Sequence, residues 1–169
     1  KKMLKTIPRT SIIGFIIGVL PGAGATIASF LAYGMERNLV SDEEKEKFGK
    51  GSVHGLAAPE TANNAACSGA FVPLLTLGIP GSGTTAVMLG ALLGFGIQPG
   101  PRLYMTNPEI FWSVIMSMYI GMVVLLILNL PLIPYIARIL AVPKNYLIPL
   151  ILFFSITGIY VMSFNNFDI

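Results

Sequence analysis

Two short stretches carry most of the chemistry this chain can offer. Leu20-Pro21-Gly22-Ala23-Gly24-Ala25-Thr26 and Ile79-Pro80-Gly81-Ser82-Gly83-Thr84-Thr85 share one pattern, apolar-Pro-Gly-small-Gly-small-Thr, 59 residues apart. Pro removes a backbone donor and Gly relaxes the dihedral limits, so each stretch should interrupt a helix. Both lie in runs without a single charge. At membrane depth an irregular backbone persists only inside protein or beside a watery cavity, because lipid cannot hydrogen-bond the freed groups. A helix that restarts after each break presents unpaired N–H groups and the positive end of its dipole. The hydroxyls of Thr26, Ser82, Thr84 and Thr85 stand beside those ends, which makes an anion receptor without a charged side chain. Carbonyls freed on the other side of each break suit Na⁺. Paired interruptions of this kind mark a midplane binding site in a secondary transporter. The candidate substrate-binding residues are therefore Pro21, Gly22, Gly24, Thr26, Pro80, Gly81, Ser82, Gly83, Thr84 and Thr85. Close helix packing is the other use of small residues, and Gly14-x-x-x-Gly18 and Gly90-x-x-x-Gly94 are assigned to it. Packing needs no paired Pro-Gly break, which favours binding at the two loops.

A second polar cluster, Glu60-Thr61-Ala62-Asn63-Asn64, stands where Ala57-Ala58-Pro59 leads into a long apolar run. Glu60 is the last charge before 41 neutral residues. An ionisable group at such a place is suited to carrying a coupling proton, and Asn63 and Asn64 to ligating a cation or bonding a carboxylate. Two other roles stay open. Glu60 fits the first helical turn after Pro59, where the dipole favours an acid, and buried amides also serve packing if they find partners.

Other chemistries fail on their spacing. Gly78 to Thr85 has the glycines of a P-loop, but Thr84 stands where the phosphate-binding lysine is required. Gly81 to Ala86 matches a dinucleotide fingerprint only nominally, with no strand before it. A serine hydrolase would need a base for Ser82, and the lone imidazole, His54, lies outside that apolar run. No enzyme activity, cofactor or resident metal is expected; Na⁺ or a proton is the only coupling species proposed. One cysteine, Cys67, excludes an internal disulfide. A net charge of +3 is too small and scattered for nucleic acid.

The elements that must position these residues follow from composition. Of 169 residues 54% are apolar and 11% charged, less than half of the roughly 25% charge a soluble domain carries. A bilayer is the solvent that fits. About 20 helical residues cross about 30 Å of hydrocarbon, and four uncharged runs reach that length: Thr10–Met35, Thr61–Pro101, Ile110–Ala137 and Asn145–Phe167. The second would be roughly 60 Å long as one helix, so it must break or turn back. Breaks are expected at Pro21–Gly24, at Pro73 and at Pro80–Gly83, with Pro131 and Pro134 kinking or ending the third run and Pro149 in the first turn of the last. Nine of the 19 charges fall in Glu36–Lys50, which predicts a solvated loop with a short helix opened by a Ser41/Glu44 capping box. Four basic residues flank each side of the first run, as for a re-entrant hairpin with both ends in the cytoplasm. The expected organisation is a broken or hairpin segment over 1–35, a cytoplasmic loop over 36–56, a long broken or re-entrant segment over 57–101, and transmembrane helices over 109–140 and 145–163. The opening at Lys1-Lys2-Met3 and the abrupt close suggest a piece of a longer protein.

At these residues the chain resembles the large membrane subunit of the bacterial tripartite tricarboxylate transporters. The resemblance rests on Gly18–Thr26, Gly49–Gly55, Ala58-Pro59-Glu60-Thr61-Ala62-Asn63-Asn64-Ala65, Pro73–Gly81 and Gly96-Ile97-Gln98-Pro99-Gly100-Pro101, and it continues through Asn129-Leu130-Pro131-Leu132 and Asn165-Asn166-Phe167-Asp168. His54 departs from the acidic or neutral residue expected there. The resemblance implies an all-α, polytopic secondary transporter built from inverted repeats, of which this stretch is an early part of the second half. It further implies carboxylate import across the bacterial inner membrane with a periplasmic solute-binding protein and a small membrane subunit, driven by a Na⁺ or proton gradient through an elevator movement. A non-transporting membrane scaffold, whose glycines only pack helices, is the alternative.

Overall fold

The computed structural model describes residues 2–138 and 143–163. Within them the regular structure is all helical, with no strand. After a short 3-10 turn at Lys2–Leu4 come α1 (Thr6–Val19), α2 (Gly24–Leu39), a single turn α3 (Asp42–Lys45), α4 (Val53–Gly69), α5 (Phe71–Leu77), α6 (Gly83–Gly94), a single turn α7 (Leu103–Thr106), α8 (Pro108–Ala137) and α9 (Lys144–Ser163). The chain divides into two compact units, 1–114 and 115–169.

Small residues build the core of the first unit. Ala28 and Ala32 of α2 and Ala62 and Ala66 of α4 are buried together, with Ile17 and Ala25 against them. α1 and α4 approach so closely that a Cβ at Gly14 would stand 2.3 Å from the Ala62 carbonyl oxygen, and one at Gly18 2.2 Å from that of Ala66. Without bulky side chains to interlock, backbone-to-backbone dispersion contact replaces the usual knobs and grooves. Gly14 and Gly18 therefore pack helices, as their spacing predicts. A Cβ at Gly90 or Gly94 meets nothing within 4 Å, so that pair packs against no described residue.

The helix boundaries depart from expectation in ways that have physical causes. The break expected at Pro73 falls at Ala70, because a proline ring clashes with the carbonyl four residues earlier, and α4 ends at that residue, Gly69. Pro73 then sits in the first turn of α5, where its missing N–H costs nothing. Ser41 precedes α3 but its side chain makes no capping bond; Ser52 does cap, its Oγ accepting from the Gly55 N–H at 3.1 Å. α4 consequently starts at Val53 and runs through Pro59, which places Glu60 mid-helix rather than in a first turn. Glu36, counted with the solvated loop, belongs to α2 and is fully buried.

Only α8 is long and apolar enough, among the described residues, to cross a membrane. Its 30 residues span about 45 Å, and it continues through Pro131 and Pro134 instead of ending there. In the second unit, Leu125 to Leu128 of α8 and Ile151 to Phe154 of α9 are exposed, the reverse of a water-soluble helix. Pro149 stands inside α9, past its first turn. Residues 139 and 140 of the expected 109–140 span and the Asn165–Asp168 motif lie outside the described residues.

Candidate functional site

Both Pro-Gly stretches leave the helix and return to it at the same point of the pattern. α1 stops at Val19 and α2 restarts at Gly24; α5 stops at Leu77 and α6 restarts at Gly83. Each restart falls on the second glycine of Pro-Gly-x-Gly. In the first break Gly22 and Gly24 hold φ of 85° and 70°, the left-handed region that side-chain-bearing residues avoid. In the second, Gly78 ends α5 with φ 71° and its N–H donates to Leu74 C=O at 3.0 Å.

The two breaks, so far apart in sequence, touch. The Gly22 N–H donates to the Gly81 carbonyl at 3.3 Å. Gly81 is buried against Ala70, where a Cβ would come within 3.2 Å of the alanine side chain. Gly69, one residue earlier, lies against Phe15, Gly18 and Val19 at the end of α1. Three chain breaks, at 20–23, 70 and 78–82, thus meet at one end of the α1–α4 pair, and the small residues at each are what permit it.

The four candidate hydroxyls divide into two kinds. Ser82 and Thr85 cap α6 reciprocally: the Thr85 N–H donates to Ser82 Oγ at 3.3 Å, the Ser82 N–H to Thr85 Oγ1 at 2.8 Å, and Thr85 is buried. Their hydroxyls also face each other at 3.1 Å. Thr26 holds the place in α2 that Thr85 holds in α6, but Ala23 stands where the capping serine would be and offers no acceptor. The start of α2 is left uncapped, and Thr26 is exposed. Thr84 and Gly83 are likewise exposed in the first turn of α6, where backbone N–H groups have no intrahelical partner. The free donors nearest the joined breaks are therefore the first-turn N–H groups of α2, those of Gly83 and Thr84 in α6, and the hydroxyls of Thr26 and Thr84. Pro21 is exposed and Pro80 half-buried.

The candidate coupling residues occupy different faces of α4. Asn63 turns toward α2, its Nδ2 donating to Ser29 Oγ at 3.2 Å, while Ser29 donates to the carbonyls of Ala25 and Pro59. Asn64 bonds its own helix, Nδ2 to the Glu60 carbonyl at 2.9 Å. Glu60 and Asn64 are exposed, roughly 200° around the helix from the Ala58–Ala62–Ala66 stripe. The two amides are thus not brought to a common point, and Glu60 lies about 14 Å along the axis before Gly69.

One constellation has no counterpart in the sequence reading. Glu36 receives the Arg9 guanidinium through two donors, Nε to Oε2 at 2.7 Å and an η nitrogen to Oε1. Thr6 Oγ1 donates to Oε1 at 2.7 Å, and His54 Nδ1 stands 3.1 Å from the same oxygen and 2.9 Å from the Thr6 hydroxyl. Glu36 lies one residue past the apolar run that ends at Met35. Burial pushes its carboxyl up, but the hydrogen bonds from Arg9, Thr6 and His54 outweigh this and hold it below its ordinary value. Arg9 and Glu36 are the first charges on either side of that run, so a hairpin reading carried one step further pairs them. His54 is committed to this cluster and Ser82 to Thr85, so the only imidazole is not a base for that serine.

The whole chain, residues 1–169, matches the model described as the tripartite tricarboxylate transporter TctA family. Two curated proteins of Agrobacterium vitis are similar to it. One, described as an uncharacterized 52.8 kDa protein in the TAR-I ttuC' 3' region, is 46% identical over 95% of this chain and 32% of its own length. Another, described as an uncharacterized protein in the TAR-II ttuC' 3' region, is 45% identical over 92% of this chain and 64% of its own. The chain thus spans about a third and just under two thirds of these relatives. No solved structure matches it. The match over the whole chain shows the family of this protein. It belongs to the tripartite tricarboxylate transporter TctA family.

Proposed function

We propose that this chain is part of the multi-pass translocation subunit of an ion-gradient-driven importer of tricarboxylates or related small carboxylates in the bacterial inner membrane. The subunit works with a periplasmic solute-binding protein and a small membrane subunit, and its Pro-Gly segments are the re-entrant or broken elements of an inverted-repeat transporter. The observation that carries the reading is the Gly22 N–H to Gly81 C=O contact, which joins the two matched breaks at one place. Around that junction, helix starts converge without acidic side chains, since no charge occurs in 10–35 or 61–101. A carboxylate fits there through the N–H groups at the starts of α2 and α6 and the hydroxyls of Thr26 and Thr84. Ser82, Gly83 and Thr85 set the geometry of the second start, and Pro21, Gly22, Gly24, Pro80 and Gly81 that of the breaks. Glu60 and Asn64 on the exposed face of α4, and Asn63 on the face turned toward α2, are the residues assigned to the coupling Na⁺ or proton.

Thr84→Val is the discriminating substitution. It keeps shape and removes one hydroxyl, whereas Ser82→Ala removes a helix cap worth about 1 kcal/mol and Gly81→Leu collides with Ala70. A hydrogen bond to a charged group contributes about 1.5–3 kcal/mol, so uptake of labelled carboxylate by the reconstituted full complex should fall roughly 10- to 100-fold in kcat/KM, with subunit assembly unchanged. Unaltered uptake would favour the scaffold alternative.

A further inference from the structure

The Arg9–Thr6–Glu36–His54 cluster ties three helices at the far end of the α1–α2 hairpin from its Pro21–Gly24 tip. Thr6 and Arg9 come from the start of α1, Glu36 from the end of α2 and His54 from the first turn of α4. Glu36 Oε1, Thr6 Oγ1 and His54 Nδ1 form a triangle with sides of 2.7, 2.9 and 3.1 Å. An ionised carboxylate has no hydrogen to give and a threonine hydroxyl has one. If Nδ1 were bare, two acceptors would face each other at 3.1 Å, and the single hydroxyl hydrogen could satisfy only one of them. With Nδ1 protonated every edge is served: the ring N–H points at Oε1 and Oγ1, and the hydroxyl donates to Oε1. The surroundings therefore hold His54 as the Nδ1–H form, which leaves Nε2 as the nitrogen that gains or loses a proton.

We propose that His54 Nε2 is a proton-binding site that works a latch between α1, α2 and α4. With His54 neutral, Glu36 and Arg9 balance as a bidentate pair. A proton on Nε2 turns the ring into an imidazolium, and two cations then share one carboxylate that is fully buried. The His54 Nδ1–H bond to Oε1 strengthens, the guanidinium is repelled, and Arg9, whose side chain is 32% exposed, is the member free to move toward water. Arg9 faces His54 from α1 and Glu36 from α2. On the 41–51 segment Lys47 is engaged by Glu43 and Glu44, while Phe48 packs on Gly55 and against the ring of Tyr33. Glu36, held below the usual glutamate range, stays ionised where imidazoles titrate. α1 is about 21 Å long, so loosening Arg9 from Glu36 frees the base of the hairpin whose tip carries the first Pro-Gly break. The inference rests on the hydrogen-bond geometry and holds whether or not that tip binds a carboxylate.

The test uses the full-length subunit in lipid nanodiscs without substrate. Deuterium exchange at the imidazole C2–H, read by mass spectrometry, follows protonation of His54. Amide exchange of peptides covering 6–10 and 34–39, corrected for intrinsic pH dependence, follows the latch. Both peptides should exchange roughly tenfold faster at pH 5.5 than at 7.5, with the same midpoint as the protonation of His54. His54→Gln, which keeps a donor and cannot titrate in this range, should abolish the pH dependence; His54→Asn serves if that variant does not fold. An imidazole that takes up no proton above pH 5, a change below about twofold in the native protein, or a pH dependence that survives His54→Gln would each overturn the proposal.

Discussion

Arg9→Met should destabilise the folded subunit by about 3–5 kcal/mol, the range for leaving a buried charge without its partner. Glu36 has no exposed surface and depends on the guanidinium for two of its hydrogen bonds. The converse change should be milder, because Glu36→Gln strands only Arg9, a third of whose side chain already meets solvent. Glutamine also keeps an oxygen for Thr6 and His54. Replacing both members with apolar residues should recover much of the loss, since the desolvation penalty vanishes with the charges. Denaturant or thermal unfolding of the full-length protein in detergent orders the variants, and Glu36→Gln proving worse than Arg9→Met would contradict the assignment. Sign and pH agree. A carboxyl held below its ordinary value stabilises the fold above the usual glutamate range, and that contribution is lost as pH falls through the lowered value.

Gly18→Leu should have an effect of similar size by a different route. A Cβ alone would stand 2.2 Å from the Ala66 carbonyl oxygen and 2.6 Å from its Cα. Nothing flexible is present to yield, because the obstacle is the backbone of α4. Overpacking ordinarily costs about 1–3 kcal/mol; here α1 and α4 must separate bodily, so the cost should reach or exceed the top of that range. The same separation pulls Gly69 from the end of α1 and loosens the seat of the joined breaks. Gly18→Leu should therefore lower both the unfolding midpoint and carboxylate uptake. A variant with native stability would show that the α1–α4 contact is not what holds the unit together.

What could be read without coordinates was governed by local chemistry. The breaks read at Pro21–Gly24 and Pro80–Gly83 are there, each helix restarting on the last glycine of its stretch, Gly24 for α2 and Gly83 for α6. Gly14 and Gly18 announced a close approach through their spacing alone. The misreadings came from longer-range causes. Proline acts one turn upstream, so the break read at Pro73 lies at Ala70. Ser52, not Pro59, opens α4, and the helix runs on through the proline where Ala58, Ala62 and Ala66 are buried, so Glu60 loses its supposed dipole partner. Glu36 resembled the first charge of a wet loop until α1 folded back and supplied Arg9. The echo also concealed a difference: one substitution, Ala23 against Ser82, leaves α2 uncapped while α6 closes its own start. Which hydroxyls are free is thus legible only once the partners are in place.

Substrate protection shows whether the joined breaks form the carboxylate site. In an otherwise cysteine-free full-length protein carrying Cys67→Ser, Thr26→Cys and Thr84→Cys would each be labelled with a small membrane-impermeant thiol reagent, with and without tricarboxylate and across separate changes of Na⁺ and pH. Both positions should react from water, and saturating substrate should slow both by roughly tenfold or more, as expected when one ligand covers both helix starts. Reaction rates unchanged by any carboxylate, or protection at one position alone, would contradict a shared site.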